Sequence, residues 1–153
     1  MKLLTQQGKV IGGISTPEIR QKNRVGFEIV DIMTGKRGIL AHINQQTGPR
    51  VSRYRVNLHD LKEIGVGAIR KAIDMNADFI IIDEIGKMEL VSQDFQAIVW
   101  EALDLKKVLG TIGHISAPFI TRIYGRNDIK LINLTTQNRD EIYDQLKSIL
   151  LRK

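Results

Sequence analysis

The sequence predicts an α/β fold: a three-layer α/β/α domain with a mainly parallel sheet and one antiparallel β-hairpin. Three observations carry this. Phe79-Ile80-Ile81-Ile82 is a solid run of large apolar residues, three of them β-branched. A run this short and this apolar is a central strand covered on both faces. Apolar residues on either side of it recur at helical spacing, so the second half of the chain alternates helix and strand, the pattern of a parallel sheet. In the first half, Val25–Ile32 and Lys36–Ile43 read as strands joined by a tight Thr34-Gly35 turn, which makes a hairpin.

In order, Leu3 and Leu4 end a helix stopped by Gly8. Lys9–Ile14 is a strand whose Gly12-Gly13 pair permits close backbone approach. Thr16-Pro17 opens a turn before the hairpin, and 45–49 is a loop. Asn57 caps a helical stretch with Leu58, Leu61, Ile64, Ala68, Ile69, Ala72 and Ile73 inward, bent or broken at Gly65 and Gly67. After the central strand, a helix from about Ser92 turns Phe95, Ile98, Val99, Ala102 and Leu103 inward and leaves Trp100 half exposed. Val108–Ile112 is a further buried strand, Phe119–Tyr124 a short helix and Ile129–Leu134 a last strand. Asn138-x-x-Glu141 resembles a capping box, opening a helix with Ile142, Leu146, Ile149 and Leu150 inward.

The 153 residues suit a single domain, without internal repeat or linker. There is no Cys, hence no disulfide framework, Cys-based zinc site or Cys nucleophile. No apolar run is long enough to cross a membrane, and the start of the chain turns polar too soon for a signal peptide. A cytoplasmic location follows by default. The net charge of +6 is uneven: residues 1–75 hold 13 Lys/Arg against 6 Asp/Glu, and residues 76–153 hold 10 against 11. The basic half clusters its charge at Arg20, Lys22 and Arg24, at Lys36 and Arg37, and at Arg50, Arg53 and Arg55. A phosphate-bearing ligand, an acidic partner or a plain solvated surface would each account for it.

The central strand runs directly into Asp83 and Glu84, at the carboxyl end where open α/β sheets bind ligands. An apolar strand ending in Asp-Glu is the Walker B pattern. In it the Asp holds Mg²⁺ against nucleotide phosphates and the Glu polarises the attacking water. The alternative is a buried strand followed by a helix-capping carboxylate. Lys87 and Glu89 either shape this site or pair with each other. Thr111, ending the next strand, either faces the site beside Asp83 or bonds backbone. His42 and His59 have no partner at ligand spacing.

Several stretches together resemble the THEP1-type P-loop nucleoside-triphosphatase family, which includes a human cancer-related relative. They are Gly12-Gly13-Ile14-Ser15-Thr16-Pro17-Glu18-Ile19-Arg20, Arg24-Val25-Gly26-Phe27, Asp83-Glu84-Ile85-Gly86-Lys87-Met88-Glu89-Leu90, Leu109-Gly110-Thr111-Ile112 and Asn138-Arg139-Asp140. They span nearly the whole chain in the family's order. The resemblance implies a P-loop NTPase-like fold and Mg²⁺-dependent hydrolysis of ATP, GTP and other nucleoside triphosphates with loose base preference. It makes Asp83 the metal ligand, Glu84 the catalytic base and Arg24 a charge-offsetting group. Gly86, Thr111, Arg126, Asn138 and Arg139 become nucleotide-binding candidates, with Arg122 and Arg126 reaching over the phosphates and Asn138 and Arg139 near the base. Asn138 is also explained as a helix cap. His114 stands one place later than the family's His or Arg after Thr-Ile, because Gly113 intervenes.

One departure from the family is large. Gly8-Lys9, Gly35-Lys36 and Gly86-Lys87 are the only Gly-Lys pairs, and none has the preceding Gly or following Ser/Thr of a phosphate loop. The resemblance implies that a strand, the loop and most of a helix, about 20–25 residues, precede Met1 in the family's pattern. Without them unpaired backbone is expected in the sheet, and these residues alone should hydrolyse nucleotide weakly. Two other functions compete. One is a non-catalytic module binding nucleic acid or an acidic protein through the basic half, although only Phe27 and Tyr54 lie near its loops. The other is a metal-dependent nuclease using Asp83, Glu84 and Glu89, which would want more converging carboxylates.

Overall fold

The computed structural model describes residues 1–152 and has the expected α/β architecture. A helical turn, α1 (Lys2–Gln6), is closed by Gly8 at φ +74°. The strands are β1 (Ile11–Ser15), β2 (Glu18–Arg20), β3 (Arg24–Asp31), β4 (Arg37–His42), β5 (Arg50–Val51), β6 (Tyr54–Val56), β7 (Phe79–Ile85) and β8 (Val108–Ile112). They form one sheet in the order β5-β6-β4-β3-β1-β7-β8, with β2 added on β3. The β1–β7 and β7–β8 ladders are parallel. The remaining ladders, from β1–β3 out to β5, are antiparallel. The hairpin is therefore part of a larger antiparallel wing, to which β2, β5 and β6 add strands of two or three residues.

The predicted internal strand is internal. Ile80 and Ile82 are fully buried in the main core, and Phe79 and Ile81 on the opposite face are 5% and 9% exposed. Gly12 and Gly13 do what strand glycines allow. A Cβ on Gly12 would lie 2.5 Å from the Ala72 Cβ, and one on Gly13, at φ +114°, would collide with the Ile81 carbonyl. Helix α3 thus seats directly on β1, and β1 on β7.

Asn57 caps the long helical segment as expected, its Oδ1 accepting the Asp60 N–H at 3.0 Å. The segment is continuous: α2 (Leu58–Asp60) widens into π-helix at Leu61–Val66 and continues as α3 (Gly67–Asp74). Gly65 does not break it; a Cβ there would meet the Ile29 side chain at 2.6 Å, so the glycine serves close packing on β3. Leu58 is 44% exposed rather than inward, because it falls in the first turn, ahead of the buried stripe that starts at Leu61. Ser92 caps α4 (Gln93–Asp104) through the Phe95 N–H at 3.1 Å, and the stripe Phe95, Ile98, Val99 and Ala102 is buried as predicted. Helix α5 covers Pro118–Tyr124 and buries Phe119, Ile120 and Ile123.

Four expectations are corrected in the second half of the chain. Val108–Ile112 is a strand parallel to β7, but it is the outermost one, and Gly110 and Thr111 are exposed. Residues 129–134 form no strand: their apolar spacing has no ladder partner, and Leu131 and Leu134 are each 51% exposed. Helix α6 (Arg139–Leu151) exists but buries no residue, so Ile142, Leu146, Ile149 and Leu150 are not core. Nor does Asn138 make a capping box. Its Oδ1 accepts the Thr135 N–H at 2.7 Å and its Nδ2 donates to the Asn133 carbonyl at 2.8 Å, so the preceding turn has captured the amide. No helix among the described residues is long and apolar enough to cross a membrane.

Candidate active site

The carboxyl ends of β1, β7 and β8 meet at one edge because these three strands run parallel. On β7 the register with β8 slips: Ile82 stands opposite Gly110 and Ile85 opposite Ile112. Asp83 and Glu84 therefore share the single position opposite Thr111. Two residues against one is a β-bulge, a device that re-aims side chains at the rim of a sheet. Here it presents Asp83, Glu84 and Thr111 to solvent together.

The neighbours fix this rim from both sides. Thr16, just past β1, donates its hydroxyl to the Asp83 carbonyl. Gly113, just past β8, donates its N–H to the Ile85 carbonyl at 3.0 Å. The Glu84 carboxylate lies between two glycines: a Cβ on Gly113 would be 2.9 Å from its Oε1 and one on Gly86 3.4 Å. Gly86 in turn donates its N–H to Glu89 Oε2 at 3.0 Å, and the Leu90 N–H bonds the Gly86 carbonyl at 3.0 Å. Glu89, in the short 3₁₀ turn Glu89–Val91, is only 4% exposed. Burial pushes its carboxyl up from the ordinary 4.5 to about 7. The charges of Glu84 and Asp83 push the same way, while its own and the Gly86 backbone N–H groups pull against them. Glu89 thus holds the turn that carries Glu84, and it does not pair with Lys87.

Of the expected site residues, Asp83, Glu84, Gly86 and Thr111 are brought together. Arg24 forms no hydrogen bond or ion pair with Asp83 or Glu84. Its guanidinium is tied to Glu18 Oε1 at 3.2 Å and to the Tyr54 hydroxyl at 3.0 Å, and it lies over the Phe27 ring at 5.0 Å. Arg126 is held by Asp104 at 2.9 Å and Asp128 at 2.7 Å, which raise its already high proton affinity, and it stacks on Trp100. Asp104 ends α4 on the way into the start of β8, so Arg126 sits at the opposite end of that strand from Thr111. The second charge-stabilising candidate, Arg122, lies over the same Trp100 ring at 4.3 Å. Asn138 is occupied by its own turn, and Arg139 begins α6 exposed. Sequence reasoning missed Thr16 and Gly113 as supports and left Glu89 undecided. Position immediately after a strand end was the available signal for the first two.

Among the described residues no three His, Cys, Asp or Glu side chains form a metal-holding group. A nuclease-type carboxylate cluster is therefore not assembled. The donor set does fit Mg²⁺, which takes oxygen ligands, keeps several waters and is commonly held by one or two carboxylates plus substrate phosphates.

The chain belongs to the NTPase family, whose family model matches residues 1–147. A relative from Methanosarcina acetivorans, "Nucleoside-triphosphatase THEP1", is 42% identical over 99% of this chain and 86% of its own length. The protein of that name from Thermotoga maritima is 40% identical over 98% and 86%. Among solved structures, THEP1 from Aquifex aeolicus superposes with TM-score 0.83 at 31% identity, covering 97% of this chain and 88% of its own. A human cancer-related nucleoside triphosphatase gives TM-score 0.77 at 30% identity, covering 97% and 86%.

Proposed function

We propose that this rim hydrolyses nucleoside triphosphates such as ATP and GTP to the diphosphate and phosphate. The observation that carries the reading is the bulge that turns Asp83 and Glu84 outward together at the carboxyl edge, beside Thr111. Asp83 would hold Mg²⁺, which when bound neutralises phosphate charge and orients the phosphates. Glu84 is the base: its carboxylate accepts a proton from the water that attacks the γ-phosphorus in line. The two glycines beside it let the carboxylate lie close against the backbone, and Glu89 keeps the turn in place. Thr111, exposed near the end of β8, would donate its hydroxyl to the phosphate being released.

The 153 residues contain no phosphate loop, the element that cradles the β- and γ-phosphates with backbone N–H groups and a Lys. We therefore expect slow turnover from these residues by themselves. The test is steady-state phosphate release from Mg²⁺-ATP and Mg²⁺-GTP, by this chain and by the same chain joined to the phosphate-loop segment of a relative. The loop-bearing form should be faster by orders of magnitude; equal rates would contradict the reading.

A further inference from the structure

Strand β3 pairs with β1 at Val30–Asp31 and then, traced backwards, overhangs the carboxyl edge as far as Arg24. Strand β2 folds onto this overhang, and the β5–β6 hairpin lies beyond β4 at the same end. The tip so formed carries Arg20, Lys22, Arg24, Arg50, Arg53 and Arg55. One carboxylate answers them: Glu18 bonds Arg20 at 2.7 Å and Arg24 at 3.2 Å. Among the described residues, Lys22, Arg50, Arg53 and Arg55 form no ion pair.

The guanidiniums are nonetheless fixed. Arg53 donates to the Arg24 carbonyl and, at 3.2–3.3 Å, to the Tyr54 hydroxyl. Arg55 donates to the Gly48 carbonyl at 2.9 Å. Neutral acceptors orient a cation without cancelling its charge. The ladder register works against stability: Arg50 stands directly opposite Arg55, which on its other side stands opposite His42. Like charges in directly opposed positions destabilise a sheet. Arg24 and Arg53 also share the Tyr54 ring, at 5.8 and 5.3 Å. A tip that holds uncancelled cations together at a cost to its own fold is built for a ligand with repeated negative charge.

We propose that this tip binds a nucleic-acid strand through its phosphates, without reading bases. Five of the six cations are Arg, whose planar fork matches phosphate oxygens in pairs. Tyr54 is 3% exposed and meets Phe27 edge-on, so its ring is no platform for a base. Among the described residues, none of the six side chains bonds Asp83 or Glu84.

The test is fluorescence anisotropy with an end-labelled single strand of about 20 mixed nucleotides, titrated at about 50 and 200 mM salt; four phosphate contacts on single-stranded nucleic acid predict an affinity loss of about 50-fold between them. The Lys22 and Arg50 side chains are exposed and make no hydrogen bond or ion pair among the described residues, so K22Q/R50Q should fold normally, which circular dichroism checks. It should bind at least about tenfold more weakly at the lower salt, with a slope shallower by about 1.4. K36Q, at the far end of β3, should bind like the parent. No binding at the lower salt, or parental affinity in K22Q/R50Q, would overturn the proposal. So would displacement by Mg²⁺-ATP, which would make this part of the nucleotide site, or equal competition by polyglutamate, which would reduce it to charge alone.

Discussion

Replacing Glu89 by Gln should favour the folded state more at pH 8 than at pH 5. Glu89 is 4% exposed, and its folded pKa is raised from the ordinary 4.5 to about 7, first by burial and further by Glu84 and Asp83. A raised carboxyl pKa means that between those values the folded state keeps a proton that the unfolded chain has lost. Stability is then greatest below about 4.5, falls as pH rises towards about 7 and levels off above it. A gap of roughly 2.5 units corresponds to about 3 kcal/mol at full ionisation. Gln keeps the shape and an oxygen for the Gly86 N–H at 3.0 Å while removing the titration. Its extra N–H donors, if unpaired, offset part of the gain by about 1–3 kcal/mol at every pH. The pH-dependent component is therefore the diagnostic. Urea unfolding followed by circular dichroism at pH 5, 6, 7 and 8 measures it. The variant-minus-parent difference should rise across that window by about 2.5 kcal/mol. A difference that stays flat from pH 5 to 8 would refute the assignment of Glu89 as a buried carboxyl in an uncompensated site.

Three substitutions test the fold and the site. Gly13→Ala should destabilise by more than about 3 kcal/mol, because φ is +114° and a Cβ would collide with the Ile81 carbonyl. Gly35→Ala, at φ +76° in open space, should cost only about 1–2 kcal/mol, both read by thermal unfolding. Arg126→Ala should lower the melting temperature by loosening Asp104, Asp128 and Trp100, yet leave nucleotide affinity within about twofold of the parent by equilibrium titration, a difference worth under about 0.5 kcal/mol. A large selective loss of affinity would return Arg126 to the site.

What the sequence displayed and what it hid divide along physical lines. Phe79–Ile82 and the Phe95–Ala102 stripe were legible because contiguous apolar runs and 3.6-residue spacing are local and long enough to count. Strands β2, β5 and β6 have two or three residues each, too few for any period to show. Ile129–Leu134 is apolar enough for a strand, but a strand exists only with a partner, and nothing local supplies one. Asn138 and Glu141 have capping-box spacing, yet the competing bonds to Thr135 and Asn133 took the amide, the ordinary rivalry of Asn side chains for nearby backbone. Asp83 and Glu84 were readable from position after an apolar strand. The bulge that aims them was not, because it depends on the register against β8. Arg126 looked available, since its partner Asp104 lies 22 residues away in sequence. Glu89 stayed open between shaping the site and pairing with Lys87, because three residues of 3₁₀ turn leave no periodicity to show that it is buried.

The central claim is that Glu84 is the base and Asp83 the metal-side carboxylate. The most direct measurement is nucleotide affinity and turnover, titrated with Mg²⁺, for Glu84→Gln and Asp83→Asn in the loop-bearing form. An amide at 84 keeps the shape and can still bond water, but it cannot take its proton. Turnover should therefore fall by about 10²–10⁴ while nucleotide affinity stays close to the parent's. Asp83→Asn should weaken turnover and shift the Mg²⁺ requirement upward. Near-normal turnover in Glu84→Gln, or affinity lost as badly as turnover, would contradict the account and leave the pair as carboxylates that merely finish a strand.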